Sequence, residues 1–140
     1  MISLLVFGDI VGSQGRNGLK SLMPNFKKKY QPDFLIANYE NCAGGMGITP
    51  QLADELFDMG FHVLTGGNHS WDKKEIFSYM ETHPYLLRPI NYPGKSPGKG
   101  VCSYTIKGKR FTVANLECRL FMKNLDCPFR AADQVIQTFR

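Results

Sequence analysis

The chain has 140 residues, of which 43% are hydrophobic and 21% are charged, and its formal net charge at pH 7 is +5. This length and composition are ordinary for one soluble globular domain with a hydrophobic core. No apolar run approaches the roughly 20 residues that a membrane span needs, and the apolar N-terminus lacks the basic flank of a signal peptide. We therefore expect a protein that makes no contact with a membrane.

Cysteine spacing and the distribution of charge narrow the class of protein further. The four cysteines contain no C-x-x-C pair, which argues against a zinc knuckle or a thioredoxin-type site, and we expect reduced thiols in the cytoplasm. Much of the positive charge lies in Lys27–Lys29 and Lys107–Arg110. Such runs attract phosphate-bearing ligands, including nucleic acids, but they are also typical of a solvated helix end and a solvated hairpin.

Apolar runs alternate with helical patterns, which predicts an α/β fold with a mainly parallel sheet flanked by helices. The first strand is predicted over Ile2–Phe7. A helical pattern that reaches Tyr30 follows it, and Pro24 inside this pattern predicts a kink or a division into two short helices. Further strands are predicted over Phe34–Ala37 and Phe61–Thr65.

Capping residues mark the helices between and after these strands. Thr49 is a suitable N-cap, and Pro50 a suitable first residue, for the helix that precedes the third strand. Asp72 and Glu75 are three residues apart and resemble a capping box, which predicts a helix through about Met80.

The last third of the chain is predicted as a loop, a hairpin and a helix. Proline and glycine recur through Arg88–Gly100, which predicts an irregular loop. Two strands are predicted on either side of a tight turn at Lys107–Lys109, and the second of them runs over Phe111–Leu116. A helical pattern then covers Arg130–Arg140.

Residue types that bind metals follow each of the first three predicted strands. Asp9 follows the first strand, Glu40 and Asn41 follow the second, and Asn68 and His69 follow the third. Ligands bind beyond the carboxyl ends of the strands in open parallel sheets, so these side chains are predicted to meet at one edge. Taken singly, each residue also has a structural explanation, as a helix cap, a turn residue or a hydrogen-bonded loop histidine.

These residue types suit metal-assisted hydrolysis of a phosphoester. Carboxylate and amide oxygens bind hard or borderline cations, and imidazole suits iron, manganese or zinc. A carboxylate that bridges two metals about 4 Å apart can hold a hydroxide nucleophile for in-line displacement at phosphorus. A neighbouring imidazole can protonate the leaving oxygen.

Three short motifs carry a family resemblance, namely Gly8-Asp9, Asn38-Tyr39-Glu40-Asn41 and Gly67-Asn68-His69. They resemble the signature of the calcineurin-like metallophosphoesterase superfamily. Glutamate at position 40 and serine at position 70 resemble one bacterial branch, which is similar to enzymes described as 2′,3′-cyclic nucleotide phosphodiesterases. Longer segments that resemble this branch are Gly8–Ser13, Ala43–Thr49, Asn68–Asp72, Arg88-Pro89, Asn91–Pro93 and Leu125–Arg130.

The resemblance implies a role for each of the five site residues. Asp9 would bind the first metal, Glu40 would bridge the two, and Asn41 and Asn68 would contribute oxygen ligands. His69 would donate a proton to the leaving group. The implied cofactors are two metal ions, with iron or manganese favoured and magnesium or zinc as alternatives. The implied substrate is a phosphodiester of the cyclic nucleotide or RNA type.

Two residues depart from the pattern of this branch. Tyr39 stands where glycine is usual, so its side chain is expected to narrow the pocket beside the metals or to displace the backbone. Cys118 also stands where glycine is usual, immediately before Arg119, and we assign no role to Arg119.

The histidine content predicts that the site is incomplete. A two-metal site of this family needs several imidazoles, and the chain has only His62, His69 and His83. His62 is predicted at the opposite end of the third strand, and His83 after a helix. Since the family's other histidines come from a later segment, we expect residues 1–140 to form a single domain that is the incomplete N-terminal part of a metallophosphoesterase domain. A second copy of the chain, or a separate C-terminal half, is the expected protein partner.

Two alternatives to an active enzyme stay open at this point. One is a nucleotide- or nucleic-acid-binding module without catalysis, which the basic charge and Gly44-Gly45-x-Gly47 favour, although neither phosphate-loop motif is present. The other is an inactive fragment that keeps the fold in a structural role. Metal content and phosphodiester hydrolysis discriminate between the three.

Overall fold

The computed structural model describes residues 1–139, and a four-stranded parallel sheet forms its centre. The strands are β1 (Leu4–Asp9), β2 (Phe34–Asn38), β3 (Val63–Thr65) and β4 (Leu86–Leu87), and they lie in that order across the sheet. Helices connect them, so the predicted α/β class with a mainly parallel sheet is confirmed. The first strand lies two residues later than predicted, and β4 was not predicted because two residues carry no periodicity.

Helix α1 (Gly12–Tyr30) joins β1 to β2 and continues through Pro24, so the predicted division into two helices is wrong. Pro24 lies on the exposed side of α1, where the carbonyl that loses its partner can bond to water. Leu19 and Met23 on the other side are buried in the core and hold the helix against the sheet.

Helices α2 (Pro50–Asp58) and α3 (Ile76–Thr82) differ in how they begin. The predicted cap of α2 is confirmed, since the Leu52 amide donates to Thr49 Oγ1 at 3.3 Å. The predicted capping box of α3 is wrong, because the Asp72 carboxylate contacts His69 instead and the helix starts later than expected.

Both faces of the parallel sheet are covered by apolar side chains. Alternate residues of β2 divide between them: Leu35 and Ala37 pack against the helices, and Phe34 and Ile36 pack on the opposite face. A hairpin of β5 (Val101–Ile106) and β6 (Lys109–Ala114) covers that second face, as Cys102 and its partly buried neighbours show.

The hairpin and the segments around it largely follow the prediction. Residues Lys107 and Gly108 form its turn, both at positive φ. The predicted loop before it is irregular, apart from a single parallel bridge between Leu87 and Lys99. Helix α4 (Pro128–Phe139) lies against β6, and none of its described residues is buried. The last residue of the predicted helix, Arg140, lies outside the described residues.

Two further features bear on the sequence predictions. Within residues 1–139, no helix combines the length and the apolar character needed to cross a membrane. All four cysteines of the described chain are free thiols.

Candidate active site

The five predicted site residues all lie at or beyond the carboxyl edge of the parallel sheet. Asp9 is the last residue of β1, Glu40 and Asn41 lie in the turn after β2, and Asn68 and His69 lie in the turn after β3. Parallel register brings these strand ends side by side, with Asp9 opposite Asn38 across an irregularity in the ladder.

A hydrogen bond joins the first two elements of the site directly. Asn41 Nδ2 donates to Asp9 Oδ2 at 2.7 Å, which leaves Asn41 Oδ1 free to face a ligand. The backbone supports this contact, since Gly12 N donates to Asn41 O at 2.9 Å and Ile10 N donates to Asn38 O at 3.2 Å. Asp9 itself is exposed.

Glu40 occupies the centre of the arrangement, where it is pressed against the turn after β3. Its backbone amide donates to Asn38 Oδ1 at 2.9 Å, which fixes the turn that presents its carboxylate. A Cβ atom at Gly67 would lie 1.4 Å from Glu40 Oε2, so only glycine leaves room for this carboxylate. Partial burial raises the pKa of Glu40, the charges of Asp9 and Glu117 raise it further, and His69 lowers it.

His69 is held by a carboxylate that follows it in the same turn. His69 Nδ1 lies 2.5 Å from Asp72 Oδ2. A carboxylate only accepts hydrogen bonds, so Nδ1 carries the proton and Nε2 is the nitrogen available to a ligand. The glycine loop after Asn41 packs behind this turn: at Gly47, where φ is +72°, a Cβ would lie 3.1 Å from His69 O.

Asn68 is the member of the predicted set that the structure ties least closely to the rest. It is partly buried and precedes His69 in the turn. Within residues 1–139, no hydrogen bond joins it to the other four.

Tyr39 does not narrow the pocket as expected, because its side chain points into the core and is completely buried. Its hydroxyl would lie 2.5 Å from a Cβ at Gly66, so the ring packs beneath the turn after β3. Ser70, also fully buried, donates its hydroxyl to Gly67 O at 2.7 Å. Burial raises the pKa of Tyr39, and a side-chain hydrogen bond with Ser70 lowers it.

The sequence analysis missed a second group of polar residues beside the site, contributed by the segment after β6. Asn115 Nδ2 donates to Gly66 O at 2.9 Å, and Glu117 N donates to Asn91 Oδ1 at 3.0 Å. All three side chains are buried. The local sequence carried no signal for them, because Asn115 and Glu117 follow β6, a strand of the antiparallel hairpin, and not a strand of the parallel sheet.

The donor chemistry of the site fits a divalent cation. Partial burial and then the nearby charge of Asp9 raise the pKa of Glu40, and a cation between the two carboxylates would remove this repulsion. Within residues 1–139, however, no three His, Cys, Asp or Glu side chains gather tightly enough to hold an ion by themselves. The amide oxygens of Asn41 and Asn68 would therefore be needed as well.

Comparison with known proteins places this arrangement in a family. The family model described as "YmdB-like protein" matches residues 5–140. A 2',3'-cyclic-nucleotide 2'-phosphodiesterase of Bacillus subtilis is 45% identical over 133 residues, which are 95% of this chain and 50% of the relative.

Two solved structures share the fold over almost the whole chain. A hypothetical protein from Thermus thermophilus superposes with a TM-score of 0.92 at 32% identity, covering 99% of this chain and 54% of the other. A protein described as a novel phosphatase from Mycoplasma pneumoniae gives 0.90 at 27% identity, covering 99% and 52%. The chain thus spans about half the length of the relatives that it matches. On the match to residues 5–140, the chain belongs to the family of YmdB-like proteins.

Proposed function

We propose that this chain carries half of the active site of a metal-dependent phosphodiesterase of the calcineurin-like type. The observation that supports this most strongly is the meeting of Asp9, Glu40 and His69 at one sheet edge, where the charges of Asp9 and His69 both act on Glu40. The name of the Bacillus subtilis relative favours a 2′,3′-cyclic nucleotide as the substrate class.

In the proposed reaction, His69 acts as the general acid. The oxygen of water bonds to phosphorus and releases one proton to the solvent, the bond from phosphorus to the leaving oxygen breaks, and Nε2 of the protonated ring donates a proton to that oxygen. Asp72 fixes the ring by its contact with Nδ1, so that Nε2 keeps one direction.

Asp9, Glu40, Asn41 and Asn68 would hold the metal ions. Bound metal ions would lower the pKa of the attacking water and stabilise negative charge on the phosphoryl oxygens. A mixture of carboxylate, amide and imidazole favours iron or manganese for this role. Burial of Glu40 against Gly67 keeps its carboxylate in place before the metals bind.

The alternative of a nucleic-acid-binding module is not favoured by the charge distribution. The run Lys27–Lys29 lies in the last turn of α1, and the run Lys107–Arg110 lies at the β5–β6 turn. Lys107 pairs with Asp33, just before β2 begins, at 2.8 Å. Both runs are therefore at the amino edge of the sheet, away from Glu40 and His69.

A chimera tests the proposed function directly. It joins this chain to the half of the Bacillus subtilis relative that the match leaves uncovered, and hydrolysis of a 2′,3′-cyclic nucleotide is measured with Mn²⁺ and with EDTA. We expect hydrolysis that depends on the metal and on Glu40. We expect the 140-residue chain alone to bind Mn²⁺ weakly and to hydrolyse bis-p-nitrophenyl phosphate little, because its donors are too few for two ions. A chimera that folds and binds Mn²⁺ but hydrolyses no phosphodiester would overturn the proposal.

A further inference from the structure

Glu117 is a buried carboxylate that the proposed reaction does not use. The residue is 7% exposed, and its Oε2 atom has no hydrogen-bond partner within residues 1–139. A buried, ionised oxygen without a partner is costly, and such atoms are rare in folded proteins. This oxygen therefore requires a partner outside the described residues, either water or a cation.

The surrounding structure holds Glu117 firmly in this position. Asn91 binds its backbone on both sides, accepting from Glu117 N and donating to Glu117 O, each at 3.0 Å. The Tyr92 hydroxyl donates to Glu117 Oε1 at 3.3 Å. These contacts leave Oε2 as the free atom of the carboxylate.

The segment that contains Glu117 is hydrogen-bonded to the turn after β3, which belongs to the candidate active site. Asn115, two residues earlier, is bonded to Gly66 O, and the next residue of that turn, Gly67, touches the Glu40 carboxylate. Burial raises the pKa of Tyr92, and the charges of Glu117 and then Glu40 raise it further, which is consistent with both carboxylates lying near its hydroxyl. Glu117 and Glu40 thus lie near the same hydroxyl group, that of Tyr92, although they belong to different segments of the chain.

We propose that Glu117 lies beside the cation site as a further acidic group, and that its buried carboxylate raises, through its charge, the affinity of the Asp9–Glu40 pair for a divalent metal ion. The inference rests on the proposed function only in requiring a cation at this edge of the sheet. Glu117 adds a full negative charge in a poorly solvated position, where charges act more strongly than at the surface. The residue acts on metal binding, and the proton transfer at His69 does not involve it.

The experiment measures Mn²⁺ binding to the 140-residue chain by calorimetry and by the loss of the free-ion electron spin resonance signal. Glu117→Gln keeps the shape of the side chain and an acceptor for Tyr92 but removes the charge. We expect it to weaken Mn²⁺ binding about 10-fold or more, whereas Glu117→Asp, which keeps the charge, should lose less. The matched control is Glu81→Gln, at the far end of α3, where the acceptor for Gly98 N is kept.

Thermal unfolding separates this role from a structural one. Without metal, Glu117→Gln should be at least as stable as the unsubstituted chain, because an unpartnered buried charge near Glu40 is removed. The increase in melting temperature caused by Mn²⁺ should be smaller in the variant. A metal-free variant that is less stable or unfolded would assign Glu117 a structural role and overturn the proposal.

The outcomes also separate this proposal from the proposed function. Equal Mn²⁺ affinity of the Glu117→Gln variant and the unsubstituted chain would overturn the role of Glu117 and leave the phosphodiesterase untouched. Weaker binding by the variant, together with a chimera that hydrolyses nothing, would support the cation site and overturn the enzyme. A chain that binds no Mn²⁺ at all would overturn the role of Glu117, whereas the phosphodiesterase is tested by the chimera.

Discussion

At the amino edge of the parallel sheet the His62 side chain is hydrogen-bonded and stacked, whereas at the carboxyl edge a buried carboxylate oxygen of Glu117 has no hydrogen-bond partner among the described residues. His62 shows the first condition. Its Nδ1 accepts from Leu35 N at 3.1 Å, its carbonyl accepts from the Tyr104 hydroxyl at 2.8 Å, and its ring stacks on Phe34 with centroids 4.6 Å apart. Each contact adds to the stability of the fold.

The carboxyl edge shows the opposite condition. Glu117 Oε2 is buried with no hydrogen-bond partner within residues 1–139, and Glu40 is partly buried beside the like charge of Asp9. Each of these features costs stability in the free protein. The contrast indicates that the amino edge is built to hold the fold and the carboxyl edge to receive a ligand.

The largest effect is expected when His69 is replaced in the chimera, and replacement of His62 is the comparison. His69→Ala should slow turnover roughly 100- to 10,000-fold, the usual contribution of general acid catalysis, while Mn²⁺ stays mostly bound. His62→Gln, the matched change at the other edge, should leave turnover nearly unchanged. Steady-state rates with alkyl and p-nitrophenyl esters provide the measurement.

The leaving group supplies a further check on the role of His69. A good leaving group needs no proton, so the loss in His69→Ala should be smaller for the p-nitrophenyl ester than for the alkyl ester. Equal losses with both esters would contradict the assignment of His69 as the acid.

The next effect concerns the carboxylates as metal ligands. Glu40→Gln should lower bound Mn²⁺ and hydrolysis together by at least about 10-fold, and Asp9→Asn should act in the same direction, because each removes a charged oxygen ligand. Metal content of the purified variants and hydrolysis by the corresponding chimeras are the measurements. Unchanged metal content in Glu40→Gln would rule out its bridging role.

A smaller effect is expected on the free energy of unfolding, and it should differ between the two edges of the sheet. Tyr104→Phe removes the hydrogen bond to His62 O and should lower the free energy of unfolding by about 1 kcal/mol. Tyr39→Phe removes a hydroxyl whose partner Ser70 also donates to Gly67 O, so the loss should be smaller. Urea denaturation of both variants gives the comparison, and equal losses would contradict this difference between the two edges.

The smallest effect is a pH dependence at the amino edge. Burial lowers the pKa of His62 below its ordinary value of 6.5, and the charge of Lys27 lowers it further. The unfolded chain therefore binds more protons than the folded chain as the pH falls below about 6.5, and stability decreases. In His62→Gln, the free energy of unfolding should decrease less steeply as the pH falls. The change in slope should be less than about 1.4 kcal/mol per pH unit, the limit for one proton.

Denaturation of both proteins at pH 7 and at pH 5.5 measures this difference in slope. Other groups titrate in the same range, so the comparison with the unsubstituted chain isolates His62. A variant that keeps the full slope would show that His62 is protonated as easily in the folded chain as in the unfolded one.

The elements that the sequence predicted correctly are those whose signal is local. Alternation of strands and helices gave the α/β class, and Thr49-Pro50 gave the start of α2. Strand ends that finish in polar residues gave the position of Asp9, Glu40 and His69, because parallel strands deliver their carboxyl ends to one edge. Periodicity and capping depend on neighbours in the chain, and these are visible in a sequence.

Only the tertiary structure determines which partners the polar side chains contact. Asp72 had the spacing of a helix cap but contacts His69, and Tyr39 had the position of a pocket residue but is buried beneath Gly66. Glu117 lies 77 positions from Glu40 in the sequence and meets the site only because Asn91 and Asn115 anchor its segment. Such contacts depend on packing between distant segments, and local pattern carries no information about them.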